Sequence, residues 1–265
     1  PLPTEHVEIG GRAVSTVPAF GTVYGHALLD ELPLLLWLAE DDARLSTFDR
    51  VLCSPFALKL LRRIRHPRRE ALLARASAAD WMTLYEVEDL TALRRSGCRA
   101  NPSLEEIALL RAQVDPALRP APPGAPRRLF VDRPGGTRGI RNMAEVRSVA
   151  ERHGVTLMAP EDLEDPWAAF AAADLVIGVS GSNLSDSVFM KPGAVLLEIH
   201  PSDHVKPYNW NVANKIGVTY DSILAPSAVH RNNLIGPGNS PIHVPVETFD
   251  HAVATAIAAI PGPTE

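Results

Sequence analysis

The sequence predicts an α/β protein built from two Rossmann-like domains, and three observations carry that expectation. Short apolar runs such as "RVLCS", "RRLFVDR", "DLVIGV" and "AVLLEI" alternate with segments of helical periodicity, the pattern of a parallel sheet with helices on its faces. The turns after the later runs are rich in glycine, serine and asparagine, as at the carboxyl ends of strands in doubly wound sheets. Near the middle, "QVDPALRPAPPGAP" is rich in proline and lacks apolar periodicity, which marks a connection between domains. The expected divisions are residues 1–114 for an N-terminal domain, 115–126 for a linker, 127–246 for a C-terminal domain and 247–265 for a terminal helix.

In the first half "GHALLDELPLLLWLAED" reads as helix, "RVLCS" as a short strand, "PFALKLLRRI" and "PRREALLARAS" as helices, and "WMTLYEVEDL" as a strand running into a loop. After the linker comes the strand "RRLFVDR", a glycine-rich turn, and a helix over "NMAEVRSVAERHG". That helix puts Val146, Val149 and Ala150 on one face and stops at Gly154. Next follow the strand "VTLMAP" and the helix "DPWAAFAAA", with Asp165 as N-cap and Pro166 at its first position. The strand "DLVIGV", the helix "SNLSDSVFM" and the strand "AVLLEI" complete the run. The tail "VETFDHAVATAIAAI" is an amphipathic helix with Phe249, Val253, Ile257 and Ile260 along one side.

Composition narrows the function. A chain of 265 residues that is 46% hydrophobic and 22% charged is ordinary for a globular protein. Its formal net charge of -5 gives no footprint for nucleic acid or an anionic membrane as the main partner. Cys53 and Cys98 lie far apart without the clustering of a metal site, and reduced thiols in a cytoplasm are the expectation. The run "LLDELPLLLWLA" is interrupted by Asp30, Glu31 and Pro33 and is too short to span a bilayer; neither a signal peptide nor a transmembrane helix is expected. No histidine reaches metal-ligand spacing with a supporting partner, so no metal or cofactor is expected.

Three loops carry chemistry. "GVSGSN" joins a strand to the next helix. Gly178 and Gly181 there suit close approach of a ligand to the backbone, and the helix start favours an anion. Ser180, Ser182 and Asn183 add hydroxyl and amide groups, and a plain capped turn explains the same residues. "VDRPGGTRGIRN" also follows a strand and brings Arg133, Arg138 and Arg141 around two glycines; arginine's planar fork suits bidentate phosphate contacts, while a solvated turn is the competing reading. Two anion-suited loops in one sheet favour a nucleotide ligand, although neither is a P-loop or a G-x-G-x-x-G. In the first half, "GTVYGHALLDELP" sets His26 and Asp30 four residues apart, so the carboxylate is able to orient the imidazole as a general base; an incidental histidine at a helix start is the alternative.

Taken together these segments resemble glycosyltransferase family 61. The resemblance rests on "GHALLDELP" against a G-H-x-L-x-[DE]-x-L-P start and on Arg133 with "RGIRN". It extends to "FAAADLVIGVSGSNLSD" against F-x-x-A-x-x-[IV]-[IV]-G-x-H-G-[AS]-x-L-[ST]-[ND], and to "FMKPGAVLLEIHP", all in the family's order. The resemblance implies a GT-B arrangement whose C-terminal helix crosses back to the first domain. It implies inverting, metal-independent transfer of a sugar from a nucleotide-diphosphate donor to a glycan or polysaccharide acceptor, such as a capsule or lipopolysaccharide precursor, in the cytoplasm or at the inner face of its membrane. It is compatible with a peripheral membrane or partner-enzyme association and with a homo-oligomer. Arg133, Arg138, Asn142 and the Gly178, Ser180, Gly181, Ser182 and Asn183 loop would hold the donor diphosphate, Glu198 the ribose, and His26 with Asp30 would deprotonate the acceptor. Three positions depart from the family pattern: Ser180 stands for histidine, Met143 for glutamate and Pro166 for glutamine. These departures point to a different donor, or to a silent sugar-nucleotide or glycan-binding subunit. A nucleotide-dependent dehydrogenase is disfavoured, because the glycine fingerprint and its acidic ribose partner are missing.

Overall fold

The computed structural model describes all residues except 1–4, 19, 81, 96–99, 118, 134–137, 228–237 and 263–265. Cys98 and the "PGGT" turn before Arg138 therefore lie outside the described residues. The chain forms two compact units, Pro1–Arg119 and Pro120–Glu265, divided within the proline-rich segment.

The first unit holds a four-stranded, wholly parallel sheet of β1 (Glu5–Ser15), β2 (Arg50–Cys53), β3 (Ala76–Ala78) and β4 (Thr83–Ala92) in the order β3-β2-β1-β4. β1 escapes the sequence reading because its pattern breaks at Gly10-Gly11, where the register with β4 shifts between Ile9 and Arg12. The helix expected over "PRREALLARAS" ends early: α5 (Arg69–Arg75) stops and the small residues Ala76–Ala78 join the sheet edge. The first helical run divides into α1 (Tyr24–His26), a π turn (Ala27–Glu31) and α2 (Leu32–Ala39), buried through Leu28, Leu29, Leu32, Leu35 and Leu36. A short α3 (Asp42–Ser46) follows, and Ser54 caps α4 (Pro55–Leu61) through Ala57 N. α6 (Leu104–Arg111) begins with a capping box in which Ser103 and Glu106 each bond the other's backbone N–H.

The second unit is a five-stranded parallel sheet in the order β6-β5-β7-β8-β9, from β5 (Arg128–Val131), β6 (Thr156–Met158), β7 (Leu175–Val179), β8 (Val195–Pro201) and β9 (Thr219–Ala225). Every residue of β7 and β8 is buried, as expected of central strands covered on both faces. α7 (Met143–Arg152) and α8 (Pro166–Ala172) stand where the sequence places them, the latter with Asp165 accepting from Ala168 N and Pro166 in its first turn. α9 (Tyr208–Ile216) and β9 were not read from sequence: the helix's buried face is mixed, with Asn209 beside Val212, Ala213 and Ile216, and β9 is largely exposed.

The helix expected over "SNLSDSVFM" is present in a tighter form. The segment Ser182–Phe189 is a 3₁₀ helix, not an α-helix; it packs against α8 and α9 with Leu184–Phe189 all buried, where a tighter coil fits. The C-terminal helix is α10 (Val246–Ala258). Its Phe249, Ala252, Val253 and Ala256 enter the core of the second unit beside Phe130, Val146, Val195 and Leu197. Phe249 meets Phe130 edge-on with ring centroids 6.1 Å apart.

Candidate active site

In the second unit, β5 ends just before Arg133 and β7 just before Ser180, so parallel pairing of β5 with β7 brings the two loops side by side. A Cβ added at Gly181 would collide with Arg133 Nη1 and lie 3.1 Å from both Arg138 Nη1 and Asn183 Oδ1. Gly181 is the point on which two guanidiniums and an amide converge, and its φ of 157° adds a second reason for glycine. Arg138 Nη1 donates to Ser180 O at 2.5 Å, and its Nε donates to Gly238 O. Its backbone sits at φ 69°, a left-handed conformation that costs an arginine about 1–2 kcal/mol.

Two guanidiniums stand close together in this cluster. Burial lowers the pKa of Arg133. Arg138 is lowered by burial first and by the nearby charge of Arg133 second, against the opposing pull of Asp203 and Glu198. Both Asn183 amide atoms are buried without a hydrogen-bond partner in the protein, and the Ser/Asn cap expected for the following helix is not made. Two half-buried cations and an unsatisfied amide around one glycine suit an incoming anion.

Other expected donor contacts are placed elsewhere. Gly178 is needed for packing: a Cβ there would meet Leu184 Cδ2 at 2.7 Å and Val131 O at 3.3 Å. Asn142 is a clamp, giving Nδ2 to Val244 O at 2.9 Å and taking Val244 N at 3.0 Å on Oδ1, which fixes the approach to α10. Ser180 is buried with its N–H on Ile199 O, and Ser182 opens the 3₁₀ segment. Glu198, expected at the ribose, is 0% exposed, with one oxygen on Asn209 Nδ2 at 2.8 Å and the other on the Tyr220 hydroxyl at 2.9 Å. That hydroxyl also lies 2.9 Å from His200 Nε2, and burial, then the Glu198 charge, pushes its pKa well up. The carboxylate thus anchors α9 and β9 to β8 and acts on Arg138 by charge alone.

In the first unit His26 ends α1 and Asp30 stands in the π turn, with Nδ1 of the imidazole 2.6 Å from Asp30 Oδ2. An ionised carboxylate only accepts, so the pairing assigns the proton to Nδ1 and leaves Nε2 with its lone pair, the form a general base requires. Phe20 packs against the imidazole with ring centroids 5.4 Å apart. Asp30 Oδ1 accepts from Ala100 N at 2.7 Å and from Arg95 Nη1. Ala100 adopts φ 49°, so this segment too is held in a costly left-handed conformation to present an N–H.

One residue further on, Glu31 is fully buried and accepts from Thr16 Oγ1 at 3.1 Å, Ser54 N at 2.7 Å and Ser54 Oγ. Burial outweighs these bonds and pushes its pKa up to about 7. Beside it, where β1, β2 and β3 end, a cleft of about 690 Å³ is lined mainly by Val17, Pro18, Leu52, Pro55, Tyr85 and Val87. Among the described residues, the His/Glu group with atoms near enough for a metal is His6, Glu8 and Glu86, exposed on β1 and β4 and apart from both arrangements. No helix of the described residues is long and apolar enough to cross a membrane.

The family model Glycosyltransferase 61 matches residues 24–197, more than half of the sequence, and its span takes in His26, Arg133, Arg138 and Gly181. The chain belongs to glycosyltransferase family 61. The family assignment makes it a transferase of sugars, with a nucleotide sugar and a glycan acceptor as its general reactants. No curated protein sequence matches it. For this glycosyltransferase, sequence reading missed Arg95, Glu106 and Glu31. Only Glu106 left a signal, the S-x-x-E box at 103–106; Arg95 gains its meaning from Asp30, 65 residues away, and Glu31 from Ser54, 23 residues away.

Proposed function

We propose that this protein is an inverting, metal-independent glycosyltransferase of GT-B type that takes a nucleotide-diphosphate sugar as donor and a glycan or polysaccharide hydroxyl as acceptor. The observation that carries the proposal is the convergence of Arg133, Arg138 and the unsatisfied Asn183 amide on Gly181. In this reading the second unit holds the diphosphate, and its two guanidiniums take up the charge that develops as the sugar–phosphate bond breaks. Fixed cations already half-buried do the work a divalent metal does in other transferases. The first unit supplies the base: His26 Nε2 takes the acceptor hydroxyl's proton as its oxygen bonds to the anomeric carbon on the face opposite the leaving nucleoside diphosphate, which inverts that centre. The cleft of about 690 Å³ receives the body of the acceptor, since the loop lining it through Pro18, Gly21 and Thr22 also carries Phe20 onto His26. A place in surface-polysaccharide assembly at the cytoplasmic face of a membrane is part of the same proposal.

The test is a thermal-shift screen against uridine, guanosine, cytidine and thymidine diphosphate sugars, followed by donor turnover. Stabilisation by one of them, lost in Arg133→Met, supports the reading; stabilisation by none overturns it. Ser180, in place of the family's histidine, favours a second reading, a subunit that binds the donor without transferring it. Donor binding by the native protein with neither hydrolysis nor transfer would select that one.

A further inference from the structure

The pairing of His26 with Asp30 does not stand alone. Asp30 is 7% exposed at its side chain and Arg95 6%, and the guanidinium that reaches Asp30 is itself held by Glu106 in a bidentate pair, Nε to Oε1 and Nη2 to Oε2, each at 2.6 Å. Nη2 also donates to Asn101 O at 3.0 Å. Glu106 Oε2 closes the α6 capping box by accepting from Ser103 N at 2.7 Å. The start of α6, the segment after β4 and the π turn are thus tied by one chain of charged hydrogen bonds that ends on Nδ1 of His26.

We infer that Arg95, braced by Glu106, is the positioning residue of the general base, fixing Asp30 and through it both the tautomer and the charge of His26. The inference rests on the proposed role of His26. Its geometric part is that Oδ1 of Asp30 is gripped by two donors from outside its helix, Arg95 and Ala100 N, so the carboxylate plane cannot turn and Oδ2 stays on Nδ1. Its electrostatic part is the charge of Arg95. Arg95 lies against both carboxylates and offsets the charge of Asp30. Without Arg95 the Asp30 carboxylate would act on the imidazole unopposed and favour its protonated form, which is useless in a base. The other charged groups nearby are Glu31 in the same π turn and Lys59 of α4, placed over the Phe56 ring that meets Tyr24 edge-on; α2 contributes none.

The experiment follows the ring nitrogens of His26 by NMR through a pH titration, its signals assigned by comparison with His26→Ala, in the native protein and in Arg95→Met, Arg95→Lys and Glu106→Gln. Arg95→Met is expected to raise the titration midpoint by about one unit, a tenfold change in proton affinity, and to mix the two tautomers. Arg95→Lys restores the midpoint. Glu106→Gln keeps the capping box, since glutamine serves there, and moves the midpoint the opposite way by freeing the full charge of Arg95 for Asp30. The acidic limb of kcat/KM shifts with the midpoint in each variant. Unchanged midpoints and a single tautomer in folded Arg95→Met, or in Glu106→Gln should Arg95→Met not fold, overturn the inference. If His26→Ala instead leaves transfer intact, the proposed base is wrong, while the NMR midpoints still decide the role of Arg95.

Discussion

The two candidate sites use arginine in opposite ways. Around His26 every charge has a fixed counter-charge, Arg95 lying between Asp30 and Glu106, so the arrangement is complete in the free protein. Around Gly181, Arg133 and Arg138 stand close enough that the first depresses the second, and the Asn183 amide has no partner in the protein. Among the described residues, the non-glycine positions with positive φ are Ala100 and Arg138, one in each site. Backbone strain persists where surrounding structure over-determines it, and here it serves to aim a donor in both cases. The difference teaches that the first arrangement is satisfied within its own unit, whereas the second leaves a buried amide unsatisfied, which is what the proposed anion site would use.

The comparison breaks first at His26. His26→Ala should lower transfer about 10²–10⁴-fold while donor affinity is unchanged, measured as turnover beside calorimetric binding; a parallel loss of both would place the histidine in donor binding. Next comes Glu31, the buried acid of the first unit. The folded protein holds its proton more tightly than the unfolded chain, so its contribution is fully present below pH 4.5 and lost as pH rises toward about 7. Over that window urea unfolding should show stability falling by on the order of 3 kcal/mol, and Glu31→Gln should flatten the fall. At the other site Arg133→Met should weaken nucleotide-diphosphate binding about 10–100-fold and reduce its salt dependence, measured by calorimetry across a salt series. The smallest effect belongs to Tyr220→Phe, which removes one hydrogen bond from Glu198, leaving it Asn209 and the more distant His200, and should cost about 1–2 kcal/mol in unfolding free energy while sparing donor binding.

Legibility followed burial. The continuous apolar runs of β5, β7 and β8 were readable because strands covered on both faces admit little else, and the Asp165-Pro166 start of α8 because capping is local chemistry. β1, β3 and β9, exposed or interrupted by glycine, carry no such signature. At the sites, His26 with Asp30 was visible as a four-residue spacing, and the arginine loop as a concentration of charge. The internal partners of Glu198 and Asn142 were not legible: a polar residue near a strand end reads alike in sequence whether it faces a ligand or ties two elements together.

By itself the sequence determined the family, the parallel α/β pattern and the residue types from which an anion site and a base are made, because periodicity, turn chemistry and short motifs are written in neighbouring positions. Only the tertiary structure decided which of those residues meet. It joined Arg95 to both Asp30 and Glu106, drew Arg133 and Arg138 onto Gly181, buried Glu198 and set α10 into the core of the second unit. The physical reason is that charge pairing and burial depend on distance in space, and strand order and packing set that distance independently of separation along the chain.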